Sequence, residues 1–131
     1  MMNVERCIAG ALLLLSEGPE RWTRGATAGD RFGATLGTHD MDAAMHPEAC
    51  SWCLTGSQLW SAGATRQGRG CRPLDEALAE GKAAIARVER WLEREYAAVP
   101  EGAYAIAQRW NDAEDREYGQ VLNALQGAME E

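Results

Sequence analysis

Residues 73–97, PLDEALAEGKAAIARVERWLEREYA, decide the fold class. Leu74, Leu78, Gly81, Ile85, Val88 and Leu92 fall four and three apart, a spacing that lines them along one side of an α-helix. Trp91 and Tyr96 widen that face. Pro73 stands at the start, where a helix does not need an N–H. One long helix over 74–97 is the expectation.

Working outward, Ala64–Arg72 holds Arg66, Arg69 and Arg72 with two glycines and reads as a mobile basic loop. Before it, Pro47 is expected to open a helix with Ala49, Trp52, Cys53, Gly56, Leu59 and Trp60 on one side and Gly63 at its end. Trp60, at the edge of that stripe, is the tryptophan expected to be exposed. Beyond the long helix, Pro100 and Gly102 break the chain. A short helix, Ala103–Arg109, then leads into Trp110-Asn111-Asp112. A last helix over Asp115–Met129 turns Tyr118, Val121, Leu122, Leu125 and Met129 inward, with Asp112 or Asp115 as its cap. At the N-terminal end, Val4, Ile8, Ala11, Leu12 and Leu15 predict a helix over Asn3–Glu17, stopped by Gly18-Pro19. Between these lies a glycine-punctuated stretch in which a short hairpin turns near Gly29-Asp30, then a polar connector from His39 to His46. The pattern describes a mainly α chain: a compact bundle of four to five helices with one small β-hairpin, in a single domain over 1–131.

A chain of 131 residues is large enough for a core without staples. Thirteen Lys and Arg against twenty Asp and Glu leave a net charge of −7. The surplus is uneven. Residues 1–72 balance seven acids with seven bases, whereas residues 98–131 carry seven acids against two bases. A field of that sign repels phosphates and suits a basic protein surface rather than nucleic acid. The apolar run Cys7–Leu15 is too short to span a bilayer as a helix and lacks a basic flank and cleavage site. A cytoplasmic protein with no membrane partner and reduced cysteines is the expectation.

Cys50-Ser51-Trp52-Cys53 is the most chemical stretch of the chain. Zinc needs four ligands, and this spacing offers two; Cys7, Cys71, His39 or His46 would have to complete the set. A redox dithiol would place the first cysteine at a helix N-terminus after a strand. The favoured reading makes Cys53 a small polarizable core residue with Cys50 half-exposed beside it. His39 with Asp40 or Asp42 and Cys50 can be drawn as a catalytic set, but nothing in the spacing requires it. Asp40-Met41-Asp42 lacks the further oxygen ligands of a calcium loop. GATAGDRFGATLG, residues 25–37, matches no phosphate-binding spacing. No metal or cofactor is expected.

Five tryptophans accompany one phenylalanine. Three of them open an ordered set of motifs: Trp22-Thr23-x-Gly25, Trp52-Cys53-x-x-Gly56 and Trp110-Asn111-Asp112. In this order they resemble an uncharacterised family, a small domain of unknown function found in bacterial and phage proteins. The resemblance covers residues 4–26, 47–63 and 104–129. It implies a Trp-Cys pair at Trp52-Cys53, no counterpart for Cys50, and an Asp-x-x-Gly turn after the first tryptophan, from which Ala28-Gly29-Asp30-Arg31 departs. It brings no established activity.

The shared residues read first as scaffold: Gly56 allows close helix approach, Trp22 and Trp110 pack around it, and Asn111-Asp112 tie the loop to the last helix. The same Thr23, Asn111 and Asp112 could line a small pocket. The leading expectation is a non-enzymatic protein-binding domain, an anti-CRISPR-like inhibitor of bacterial immunity. It would dock Glu101, Glu114, Asp115, Glu117, Glu130 and Trp60 on a basic, nucleic-acid-binding partner surface. The rivals are a small-ligand binder or enzyme using Thr23, Cys53, Asn111 and Asp112, and a zinc-stabilised interaction module.

Overall fold

A computed structural model describes residues 3–36, 40–68, 74–96 and 106–131. Helix α1 (Val4–Leu15) starts where the Asn3 side chain accepts the Arg6 N–H at 2.9 Å. A 3-10 turn at Pro19–Arg21 follows, then strand β1 (Ala28–Gly29), helix α2 (Asp40–Ala44), strand β2 (Ser51–Trp52) and helix α3 (Leu54–Gly68). Helices α4 (Leu74–Tyr96), α5 (Ile106–Asp112) and α6 (Tyr118–Met129) complete the order. The chain is mainly α with one small antiparallel sheet, as the patterning implies. Helix α1 sits centrally, packed against α3, α4 and α6, and α3 lies along α4.

The long helix is found at its expected bounds, but its buried line runs through Ala77, Gly81, Ala84, Val88 and Leu92, with Leu78 and Ile85 at the margin. Small residues take the centre because the helices approach closely there. A methyl group on Gly81 would stand 2.9 Å from Leu59 Cδ2. The same rule recurs in α6, where Ala124 and Ala128 join Val121 and Leu125 in the core. In α1, Cys7 and Leu14 are buried and Leu12 is only half-buried.

Several expectations are corrected. Pro47 does not open a helix: residues 51–52 form β2, and α3 begins at Leu54. Backbone pairing decides this. Cys50 N–H donates to Gly29 O at 2.9 Å, Thr23 N–H to Trp52 O at 3.1 Å and Cys53 N–H to Thr27 O at 3.1 Å. Gly63 does not end the helix, which continues to Gly68 through most of the stretch expected to be a basic loop. The supposed polar connector contains α2, with Ala43 and Ala44 buried.

The sheet pairs Ala28 with Trp52 and Gly29 with Ser51, so β1 finds its partner strand across the chain. The local turn is at Asp30-Arg31-Phe32-Gly33, two residues beyond Ala28-Gly29-Asp30-Arg31, and it has the Asp-x-x-Gly order. Gly33 takes φ +81° and donates its N–H to Asp30 O at 2.9 Å, a conformation that favours glycine. The last helix is capped by neither Asp112 nor Asp115; it starts after Glu117, whose N–H donates to the Gln120 side chain at 2.9 Å.

Candidate functional site

Asn111 lies in the last turn of α5 and is fully buried. Its Oδ1 accepts the Trp22 indole N–H at 2.7 Å and the Leu54 backbone N–H at 3.0 Å. Its Nδ2 donates to Thr23 O and to Asp112 Oδ1, each at 3.0 Å. Two acceptor sites and two donors are the whole capacity of a carboxamide, so Asn111 is saturated. Asp112 extends the cluster: Oδ1 also accepts the Gly25 N–H at 2.8 Å, and Oδ2 accepts from Gln108 Nε2 at 2.9 Å. Gly25 sits at φ +73°, which lets that N–H turn toward the carboxylate.

Cys53 immediately precedes α3, where its Sγ accepts the Gly56 N–H at 3.2 Å. The thiol also lies 3.1 Å from Thr55 Oγ1 and 3.5 Å from Gln108 Oε1. Burial pushes its pKa up; the hydrogen bonds from Thr55 and Gly56 oppose that without reversing it. A thiol held protonated in this way is poorly suited to metal binding or nucleophilic attack. Residues three apart in an extended segment also face opposite sides, so Cys50 lines an outer groove while Cys53 faces Gln108.

Of the six residues expected to group, five do so: Trp22, Thr23, Asn111 and Asp112 bond directly, and Cys53 joins through Gln108. Trp110 turns away. It packs edge-on against Tyr96 and lies under the Arg116 guanidinium, which is 3.9 Å from its ring centroid. Arg116 Nε also donates to Trp110 O at 2.8 Å, and desolvation lowers the Arg116 pKa. Gly56 serves a loop rather than a helix: a methyl there would overlap the Thr27 carbonyl oxygen. Sequence reasoning missed Gln108, Thr55 and the Gly25 N–H. Only Gln108 left a signal, being one helical turn before Asp112.

The three tryptophan motifs thus meet in one hydrogen-bonded knot. A family model described as Family of unknown function (DUF6197) matches residues 2–131. The chain belongs to that family. No curated protein and no solved structure matches it.

Elsewhere in this DUF6197 member, Glu114, Asp115 and Glu117 are exposed in and beside the α5–α6 connection. Among the described residues none of the three makes an ion pair. Glu130 is exposed too, but lies at the far end of α6, about 20 Å away at 1.5 Å per residue. Trp60 is not the exposed tryptophan expected. It is half-buried, tilted against Trp52 at 5.9 Å, because α3 runs on past it. Glu101, His39 and Cys71 lie outside the described residues. Among those described, no three His, Cys, Asp or Glu side chains are placed to hold a metal ion, and no helix is long and apolar enough to cross a membrane.

Proposed function

We propose that this chain is a non-enzymatic protein-binding domain whose exposed acids at the head of α6 meet a basic surface of a partner, such as a face that otherwise binds nucleic acid. The observation that carries this reading is the saturation of Asn111. The cluster with the residue types of an active site is bonded to itself at every donor and acceptor of that carboxamide, so it serves as a fastener. Outside it, Glu114, Asp115 and Glu117 face solvent. Two neighbouring bases already have partners within the chain: Arg116 over Trp110, and the exposed Arg24 with the backbone carbonyls of Glu114 and Arg116. Carboxylates so placed steer a cationic partner over long range. An inhibitor of a nucleic-acid-binding immune complex is one protein of this kind.

Capture from a bacterial lysate at low salt tests it. One basic protein should be recovered in stoichiometric amount, and less of it as salt rises, because screening shortens to about 8 Å at physiological ionic strength. The variant Glu114→Lys/Asp115→Lys/Glu117→Lys should lose the partner with only a small drop in melting temperature: the Glu117 side-chain cap and its favourable interaction with the helix dipole are lost, while Gln120 still accepts the N–H of residue 117. No basic partner, or capture indifferent to salt and to the triple reversal, overturns the proposal.

A further inference from the structure

The turn after β1 presents a side chain that the core does not use. Phe32 is the chain's one phenylalanine and is 80% exposed. Flexibility does not explain this, because the turn is closed by its own bonds. Asp30 Oδ1 accepts the N–H groups of Phe32 at 2.8 Å and Ala34 at 2.9 Å. Asp30 N–H donates to Ala34 O at 3.0 Å, and Leu36 N–H returns to Ala28 O at 3.2 Å. An aromatic ring fixed in water on a preorganised turn resembles the anchors found at binding hot spots.

Beside it opens a groove of about 380 Å³ lined by Asp30, Arg31, Phe32, Glu48 and Cys50. Its Cys50 wall is held in place by the Cys50–Gly29 backbone bond and by Arg21 Nη1, which donates to Cys50 O at 3.3 Å. Two carboxylates border the space against one guanidinium, and that guanidinium is already drawn to the ring: Arg31 Cζ lies 4.7 Å from the Phe32 centroid. The Phe32 ring therefore holds a cation in this structure. A second planar cation entering the groove would meet the ring together with Asp30 and Glu48. Arginine suits this better than lysine, because its guanidinium both stacks and forks onto a carboxylate. An acidic side chain would be repelled, and an apolar one would bring no counter-charge to Asp30 and Glu48.

We infer that the Phe32 turn and its groove form a docking surface for an arginine side chain carried on a loop of a protein partner. None of its lining residues is among the acids at the head of α6, so it can stand or fall independently of them. The probe is a head-to-tail cyclic peptide with one arginine in a glycine–serine frame, titrated into isotope-labelled protein and followed by NMR. Shift changes should centre on the Phe32 ring and on the amides of residues 30–34 and 48–50. The lysine counterpart, Phe32→Ala and Glu48→Gln should each weaken binding about fivefold, with melting temperatures unchanged because both side chains are exposed. The inference is overturned if the changes centre on Glu114–Glu117, if Phe32→Ala binds as wild type does, or if only free N-acetylarginine amide, and not the cyclic peptide, occupies the groove. Loss of lysate capture on reversing Glu114, Asp115 and Glu117, with peptide binding intact, would uphold both sites.

Discussion

The Asn111 side-chain oxygen accepts the Trp22 indole N–H at 2.7 Å, joining positions 89 residues apart. The same oxygen accepts the first backbone N–H of α3, so one buried atom fastens α5, the segment after α1 and the start of α3. Replacing Asn111 by leucine would leave both N–H groups buried and unpaired. At about 1–3 kcal/mol for each unsatisfied group, the loss should be roughly 2–6 kcal/mol, a large share of a small domain's stability. Urea denaturation should show it as a lower midpoint. Asn111→Asp should also destabilise, because an acceptor would then face the Thr23 carbonyl.

That fastener shows how far the sequence could be read. Trp22, Asn111 and Asp112 were recognisable together because their side chains carry the donors and acceptors; Thr23 takes part only through its backbone carbonyl. The backbone N–H of Leu54, which completes the knot, leaves no mark in residue type; that of Gly25 does so only as a glycine, through its positive φ. Helix α4 was legible because Leu74, Leu78, Gly81, Ile85, Val88 and Leu92 repeat with helical period over about five turns. The existence of α3 was legible but its bounds were not: its buried face includes Ser57, Gln58 and Ser61, so hydrophobic periodicity fades where the helix is most enclosed. Strand β2 is two residues long and owes its existence to partners 22–29, a tertiary cause that local pattern cannot carry.

Two glycines in helices should respond oppositely to alanine. In α3, a methyl at Gly56 collides with the Thr27 carbonyl, which is fixed by accepting the Cys53 N–H. Backbone cannot swing aside as a side chain can, so Gly56→Ala should cost about 1–3 kcal/mol. At Gly119, near the start of α6, nothing lies within 4 Å of the added methyl. There helix propensity decides, and Gly119→Ala should stabilise by up to about 1 kcal/mol. Differential scanning calorimetry of the pair checks the sign of each.

Arg87 fastens the other end of α6. Its Nε donates to Ala128 O at 2.7 Å and its Nη2 to Met129 O at 3.0 Å and Glu131 O at 2.8 Å. Carbonyls at a helix end are short of backbone N–H partners, Ala128 O sharing the Glu131 N–H at 3.5 Å, and a cation there also answers the helix dipole. Arg87→Ala should cost about 1.5–3 kcal/mol. Arg94, paired with Glu131 at the exposed surface, should be dispensable by the same denaturation assay. Comparable losses at both positions would show that charge, rather than carbonyl capping, holds the helix end.

Burial raises the Cys53 pKa above its ordinary value of 9.0. The folded protein therefore keeps this proton at pH values where the unfolded chain has released it. With more protons bound in the folded state, stability must fall as pH rises above about 9 and level off beyond the folded pKa. Below 9 both states hold the proton, and Cys53 adds no pH dependence. Tyr118 is also raised by burial from 10.0, so it adds to the decline at higher pH. Cys53→Ser keeps an acceptor for the Gly56 N–H and removes the titrating thiol. Its urea midpoint, followed from pH 7 to 10, should decline less steeply than that of wild type. Identical slopes would mean that the Cys53 thiol loses its proton as readily in the folded chain as in the unfolded one, and that its bonds to Gly56 and Thr55 offset its burial.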